Sequence, residues 1–216
     1  MRILFYDCFS GVSGDMNLAA MIGLGVDPDH IRRELSRLGL DDEFSLEVGG
    51  AARKGIHGTQ VTVRCHHHDH HEHRSLAQRE AIIRGSGRPE SVQQTSLQIF
   101  ERLGRAEAAV HNLPIEEVLF HEVGAVDAVV DIVGAAIAYH ALGVDAVWSS
   151  PLELGGGFVN CAHGRLPVPA PATVEILAGV ATTRGAVPFE TTTPTGAAIV
   201  ATLATKVTAD PGFTVL

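Results

Sequence analysis

Asp127 and Asp131 stand four residues apart in a stretch, His121-Glu122-Val123-Gly124-Ala125-Val126-Asp127-Ala128-Val129-Val130-Asp131-Ile132-Val133-Gly134, that mixes acids, an imidazole and small residues. Apolar residues recur at Val126, Val129, Val130, Val133 and Ile137, which predicts a helix. On a helix the two carboxylates project from one side, about 40° apart at roughly 100° per residue. The other members of that side, Ala128, Gly134, Ala135 and Ala138, suit close packing rather than solvent. A carboxylate buried there needs a partner, because an unpaired charge in a low dielectric is costly. No Lys or Arg occurs between Arg105 and Arg165, an interval holding Glu107, Glu116, Glu117, Glu122, Asp127, Asp131, Asp145 and Glu153 with His111, His121, His140 and His163. The expected partner is a metal ion, a helix N-terminus or an arginine from elsewhere in the chain. The plain alternative is a half-exposed helix whose aspartates meet water. His121, Glu122, Asp127 and Asp131 are thus candidate catalytic residues that hold a divalent ion or move protons, with His121 the first choice of proton acceptor.

Three further stretches can do chemistry. Cys65-His66-His67-His68-Asp69-His70-His71-Glu72-His73 places six imidazoles and two carboxylates in the eight residues after Cys65. Such a run cannot build a core and binds copper, nickel or zinc well, so His66, His67, His68, His70, His71 and His73 are candidate ligands of a loose metal-collecting loop. Ser10-Gly11-Val12-Ser13-Gly14-Asp15 joins a strand to a helix, the layout of an anion site in which loop amides and a helix N-terminus face the ligand. Asp7 and Asp15 bracket that turn and suit a bridging metal. The turn lacks the Gly-Lys-Ser/Thr ending of a nucleotide-binding P-loop, and simple capping by Ser13 is its plain reading. Glu190-Thr191-Thr192-Thr193-Pro194-Thr195-Gly196 opens a helix with hydroxyls and makes a second candidate anion site. Cys161 and His163 form a Cys-x-His pair beside a glycine turn that can aim His163 into a cleft.

The elements that must position these groups read as a mixed α/β protein: a mixed sheet with flanking helices, and glycine-rich loops lining a cleft. Residues 2–9 read as a strand, 16–24 as a helix, and Asp27-Pro28 starts another to about Leu38. Residues 44–48 and 60–64 alternate as strands, with Arg53 and Lys54 in a turn between them that either binds phosphate or is a plain hairpin tip. Residues 74–112 form two helical pieces broken at Gly85-Ser86-Gly87-Arg88-Pro89, and 146–148 form a strand. A flexible loop is expected at Gly155-Gly156-Gly157, and prolines 167, 169 and 171 lead into a helix over 172–177. Three parts are expected, either as separate units or as one continuous domain: a small α/β part at 1–64, the His-rich connection at 65–90 and the main α/β part at 91–216.

A net charge of −9 argues against a nucleic-acid partner and favours attraction of cations. No apolar run approaches the roughly 20 residues of a membrane span. Cys8, Cys65 and Cys161 are few and widely spaced, so a reduced, cytoplasmic protein is expected.

Taken together, Asp7-x-Phe9-Ser10-Gly11-x-Ser13-Gly14-Asp15-Met16, Phe120-His121-Glu122-Val123-Gly124-Ala125-Val126-Asp127, Asp131-Ile132-Val133-Gly134, His163-Gly164-x-Leu166-Pro167-Val168-Pro169-Ala170-Pro171 and Thr193-Pro194-Thr195-Gly196-Ala197 closely resemble the LarC family of nickel insertion proteins. The resemblance implies a nickel chelatase of the lyase class. It inserts Ni(II) into an anionic pyridinium mononucleotide bearing two thiocarboxylates, using CTP with Mg or Mn, to form the nickel-pincer cofactor of lactate racemase. It implies that Ser10, Ser13, Gly14, Asp15, His163, Thr193, Thr195 and Gly196 bind the nucleotide, and that Asp7 and His121 join the His run as metal ligands. Family chains continue into a C-terminal domain associated with CTP, so this chain corresponds to the N-terminal domain and its activity alone is open. The expected partners are that domain and a lactate racemase-type apoenzyme that receives the cofactor, with a homo-oligomer as the assembly. Two rivals remain: a nickel storage or delivery chaperone without chemistry, resting on the His run, and a metal-dependent phosphohydrolase, resting on Asp7, Asp15, Asp127 and Asp131.

Overall fold

A helix with apolar residues on every side has to be surrounded, and the helix carrying Asp127 and Asp131 is the element around which the others pack. The computed structural model describes residues 1–66, 74–118, 126–161 and 163–216. In chain order the elements are β1 (Ile3–Tyr6), α1 (Gly14–Gly23), α2 (Pro28–Ser36), β2 (Phe44–Arg53), β3 (Ile56–Cys65), α3 (Leu76–Gly85) and α4 (Glu90–His111). After a 3₁₀ turn at Ile115–Glu117 come α5 (Val126–Leu142), β4 (Ala146–Ser149), β5 (Leu152–Glu153), β6 (Phe158–Cys161), β7 (Gly164–Pro167), α6 (Pro171–Ile176), β8 (Thr182–Thr183), α7 (Pro194–Leu203) and β9 (Lys206–Val207).

The fold is mixed α/β, with its strands parcelled into small sheets. β1, β4 and β9 form a parallel sheet in the order β1-β4-β9, and β5 pairs with β8 in parallel. β2 with β3 and β6 with β7 are antiparallel hairpins. The β2–β3 hairpin is longer than its alternation predicts. Its strands run on to Arg53 and from Ile56, because Lys54 and Gly55, with φ of 48° and 84°, make a two-residue turn with both residues left-handed. The glycines and alanines at 49–52 carry no alternating pattern, so that half was invisible in the sequence. Arg53 and Lys54 stand exposed at the hairpin tip, as the plain hairpin reading has them.

α5 is buried along its length, from Ala128 to Ala138. Its small residues set the packing distance as expected. A Cβ on Gly134 would stand 2.8 Å from Leu18 Cδ2 of α1, so the two helices meet with nothing between them. α4 lays Ile99, Phe100 and Leu103 on the other flank, all fully buried. One hydrophobic cluster joins Leu4 and Tyr6 of β1, Ile31 and Leu35 of α2, the α4 face, α5 and Ile199 and Val200 of α7. Among the described residues, no helix is long and apolar enough to cross a membrane.

Candidate functional site

A cavity of about 680 Å³ opens where α1, α4, α5, α7, the β3 strand and the β6–β7 hairpin come together. Ser13, Gly14 and Asp15 line it from the start of α1, Asp127 and Asp131 from α5, and Thr193, Pro194 and Thr195 from the start of α7. The lining also includes Glu107, Val110 and His111 from the last turns of α4, with Val159, Cys161, His163 and Leu166 from the hairpin. Residues 60–63 of β3, Ala170 to Ala172 and Glu190 complete it.

The turn between β1 and α1 reaches the cavity because two glycines permit it. Gly11 has φ of 80°, and a Cβ there would fall 2.1 Å from the Thr191 carbonyl oxygen. Gly14 lets α5 approach: its Cβ would stand 2.1 Å from Asp131 Oδ2. Ser13 occupies the N-cap position of α1 but makes no side-chain cap; its hydroxyl donates to the Asp15 carboxylate instead. The first amides of α1 therefore lack a side-chain acceptor from their own N-cap, at a helix end that attracts anions. Thr193 does cap α7, its Oγ1 accepting from the Gly196 amide at 3.2 Å. Gly196 lies beneath that turn, where a Cβ would meet the Val12 carbonyl oxygen at 2.1 Å.

Asp131 is the most strained of the acids electrostatically. Its Oδ1 is shielded from solvent and has no hydrogen-bond partner among the described residues. Burial, then the charges of Asp127 and Asp15, push its pKa well above the ordinary carboxylate range. Asp127 is half-buried, and its Oδ1 accepts the Ala128 amide at 2.7 Å. The Asp127 backbone also hydrogen-bonds the Cys65 thiol, whose pKa is raised by its burial and by the Asp127 charge. Cys65 is the last residue of β3 before the histidine run. Arg79 is fully buried, with its guanidinium carbon 5.7 Å from the Phe100 ring centroid. Burial lowers its pKa to about 10, and the Asp127 charge works the other way.

Of the residues the sequence points to, Ser13, Gly14, Asp15, Asp127, Asp131, His163, Thr193 and Thr195 are gathered at this cavity. Asp7 and Ser10 are exposed on the loop after β1, outside the lining. His66 is exposed near the end of β3 with its Nδ1 3.2 Å from the Asp42 carbonyl oxygen. His67, His68, His70, His71, His73, His121 and Glu122 lie outside the described residues. The sequence reading did not pick out Glu107 and His111 as a pair, although their i, i+4 spacing at the end of a helix was available as a signal. The Gly155 loop is not the flexible connection expected. Glu153, only 4% exposed, accepts from Thr183 Oγ1 at 2.6 Å and from the Gly155 and Ala186 amides at 3.0 and 3.1 Å. These bonds, the Thr183 hydroxyl foremost, hold its pKa below the ordinary value.

The cavity brings three acids together with the N-terminal ends of two helices. The family model described as nickel insertion protein matches residues 4–216. The chain belongs to that family. It is 55% identical over 241 aligned residues to a relative from Maridesulfovibrio salexigens, covering 100% of this chain and 58% of the relative. It is 47% identical to the pyridinium-3,5-bisthiocarboxylic acid mononucleotide nickel insertion protein of Clostridium kluyveri, covering 100% and 56%. A relative of that same name from Desulfitobacterium hafniense is 50% identical, with 93% and 49% covered. The chain thus spans about half the length of the curated relatives it matches. No solved structure matches it.

Proposed function

We propose that this chain holds pyridinium-3,5-bisthiocarboxylic acid mononucleotide in the cavity and admits Ni(II) to its sulfur donors, as the nickel-insertion half of a chelatase. One observation carries this reading. The cavity that receives the N-terminal ends of α1 and α7 also receives Asp15, Asp127 and Asp131. Helix N-termini favour the phosphate and thiocarboxylate charges, while three acids would repel a lone anion. The two sets are compatible only when a cation accompanies the anion, and delivering nickel to an anionic nucleotide is such an encounter.

On this reading the phosphate lies against the open first amides of α1, and Thr195 at the start of α7 supports it. Asp127 and Asp131 attract the divalent ion, the anionic sulfurs bind it without losing a proton, and the one proton that leaves the ring carbon as it bonds nickel passes to an acid or to His121. His121 and Glu122 remain proposed members of the same site. CTP, with Mg or Mn, and transfer of the product to a lactate racemase-type apoenzyme belong to the proposal through the longer relatives.

Calorimetry with nickel and the mononucleotide tests it. The expected result is mutual reinforcement: the nucleotide binds more tightly with nickel present, and Asp131→Asn removes the coupling. Independent binding of the two would overturn the reading. Loss of all nickel binding on deletion of residues 66–73 would point instead to a delivery module.

A further inference from the structure

We infer that His111 and His163 form a two-imidazole station for nickel in the lining of the same cavity, an inference that rests on the insertion reading for its biological ion. His111 ends α4 and His163 turns the β6–β7 hairpin, so they come from unrelated parts of the chain. Their ring centroids are 5.0 Å apart at 45°. Two imidazoles on one ion, each nitrogen about 2.1 Å from it, place their ring centres about 5 Å apart. Ring contact alone gives similar separations, so spacing by itself does not decide.

Glu107 does. Its carboxylate, 9% exposed, lies 3.4 Å from His111 Nε2 one helical turn back. A histidine that binds a metal through one nitrogen characteristically gives the other to a carboxylate, which fixes the ring and raises its basicity. Glu107 and Nε2 supply that arrangement, and the ion is taken by Nδ1. Cys161, two residues before His163, brings a thiol to the same lining.

Among the described residues, no three His, Cys, Asp or Glu side chains are disposed to hold an ion by themselves. Two imidazoles from the described residues suit a station rather than a store. Such an ion keeps open positions for the nucleotide's sulfurs and passes to them by ligand exchange, without change of oxidation state.

The test uses the chain with residues 66–73 replaced by serine and glycine, so that the histidine run no longer titrates metal. Nickel is measured by equilibrium dialysis, and cobalt(II) serves as a paramagnetic probe in NMR. The expected result is one nickel bound, weakened about tenfold or more by His111→Ala and by His163→Ala, and about 10- to 100-fold by Glu107→Gln. His140→Ala is expected to leave it unchanged. His163 is on an exposed hairpin, so its substitution separates ligand loss from misfolding. With cobalt, resonances of both imidazoles shift; nickel affinity unchanged in both histidine variants, or unshifted rings, would overturn the station. If nucleotide binding depends on nickel yet ignores either histidine, insertion stands and the station falls. If the station binds nickel and the nucleotide is indifferent to it, the insertion reading fails alone.

Discussion

Asp131 of α5 presses its carboxylate against Gly14 of α1, so closely that a Cβ on residue 14 would stand 2.1 Å from Oδ2. The same contact places an incompletely bonded acid at the open end of a helix. Packing and electrostatics therefore meet at one pair of residues.

Gly14→Ala is expected to push the Asp131 carboxylate out of place and to destabilise the protein by about 1–3 kcal/mol, the usual cost of overpacking. Asp131→Gly takes away the three atoms that the new Cβ meets first, Oδ2, Cγ and Cβ, the last at 2.5 Å, so this double variant should be more stable than the sum of the two single changes. Binding of nickel with the mononucleotide should stay lost in the double variant. Urea unfolding of the four proteins checks the first claim and calorimetry the second; additive losses would mean that the two groups do not touch.

Asp131 also predicts an unusual dependence on pH. Its pKa is raised in the folded chain, so the native state binds a proton more readily than the unfolded state does. Stability from this group is present at low pH and falls as pH rises from the ordinary carboxylate range through the raised value. Asp131→Asn should flatten that slope and be more stable than the parent above it. Nickel bound together with the mononucleotide should offset the loss in the parent alone, and Asp131→Asn should hold nickel in that joint complex tenfold or more weakly, about 1.4 kcal/mol. Unfolding across pH, with and without nickel and the mononucleotide, reads all three effects.

Much of this site was legible in the sequence, and the limits are physical. The pairing of Asp127 with Asp131 follows from helical spacing, and the small residues around them announced close packing correctly. Ser13-Gly14-Asp15 and Thr193-Pro194-Thr195 announced themselves as helix starts. What no local pattern shows is which side chains meet across the fold. His111 meets His163 only because the β6–β7 hairpin lies against the end of α4, and Arg79 reaches the neighbourhood of Asp127 only through the packing of α3, α4 and α5. The cavity wall from residues 60–63 depended on a hairpin whose glycine-rich half has no periodicity. The Gly155 loop was misread because its tether, Glu153, bonds amides and a hydroxyl that lie about thirty residues on.

Thr193 tests the anion side of the pocket. Thr193→Ala removes the cap from α7 and should cost about 1 kcal/mol, or about 2–4 °C in Tm. The amide released at Gly196 then joins a helix end that faces the cavity, where an anion can replace the lost hydroxyl. Inorganic phosphate or the mononucleotide should therefore raise the Tm of the variant more than that of the parent. Equal shifts in both proteins would place the anion elsewhere.

Glu153 gives the opposite sign to Asp131. Its folded pKa is depressed, chiefly by the Thr183 hydroxyl and then by the Ala186, Gly155 and Gly185 amides. The stability it confers is present above the ordinary glutamate value and is lost as pH falls through the depressed one. Glu153→Ala removes the oxygen that accepts the Gly155 and Ala186 amides and the one that accepts the Thr183 hydroxyl, so the tether should fail at neutral pH. The variant is expected to be less stable than the parent at pH 7, to approach it in acid, and to show faster amide exchange at Gly155 and Ala186. Because Glu190 pairs with Gly155 across this loop and lines the cavity, nucleotide affinity should fall with it. Hydrogen exchange unchanged at those two amides would show that the loop is held by its backbone bridges instead.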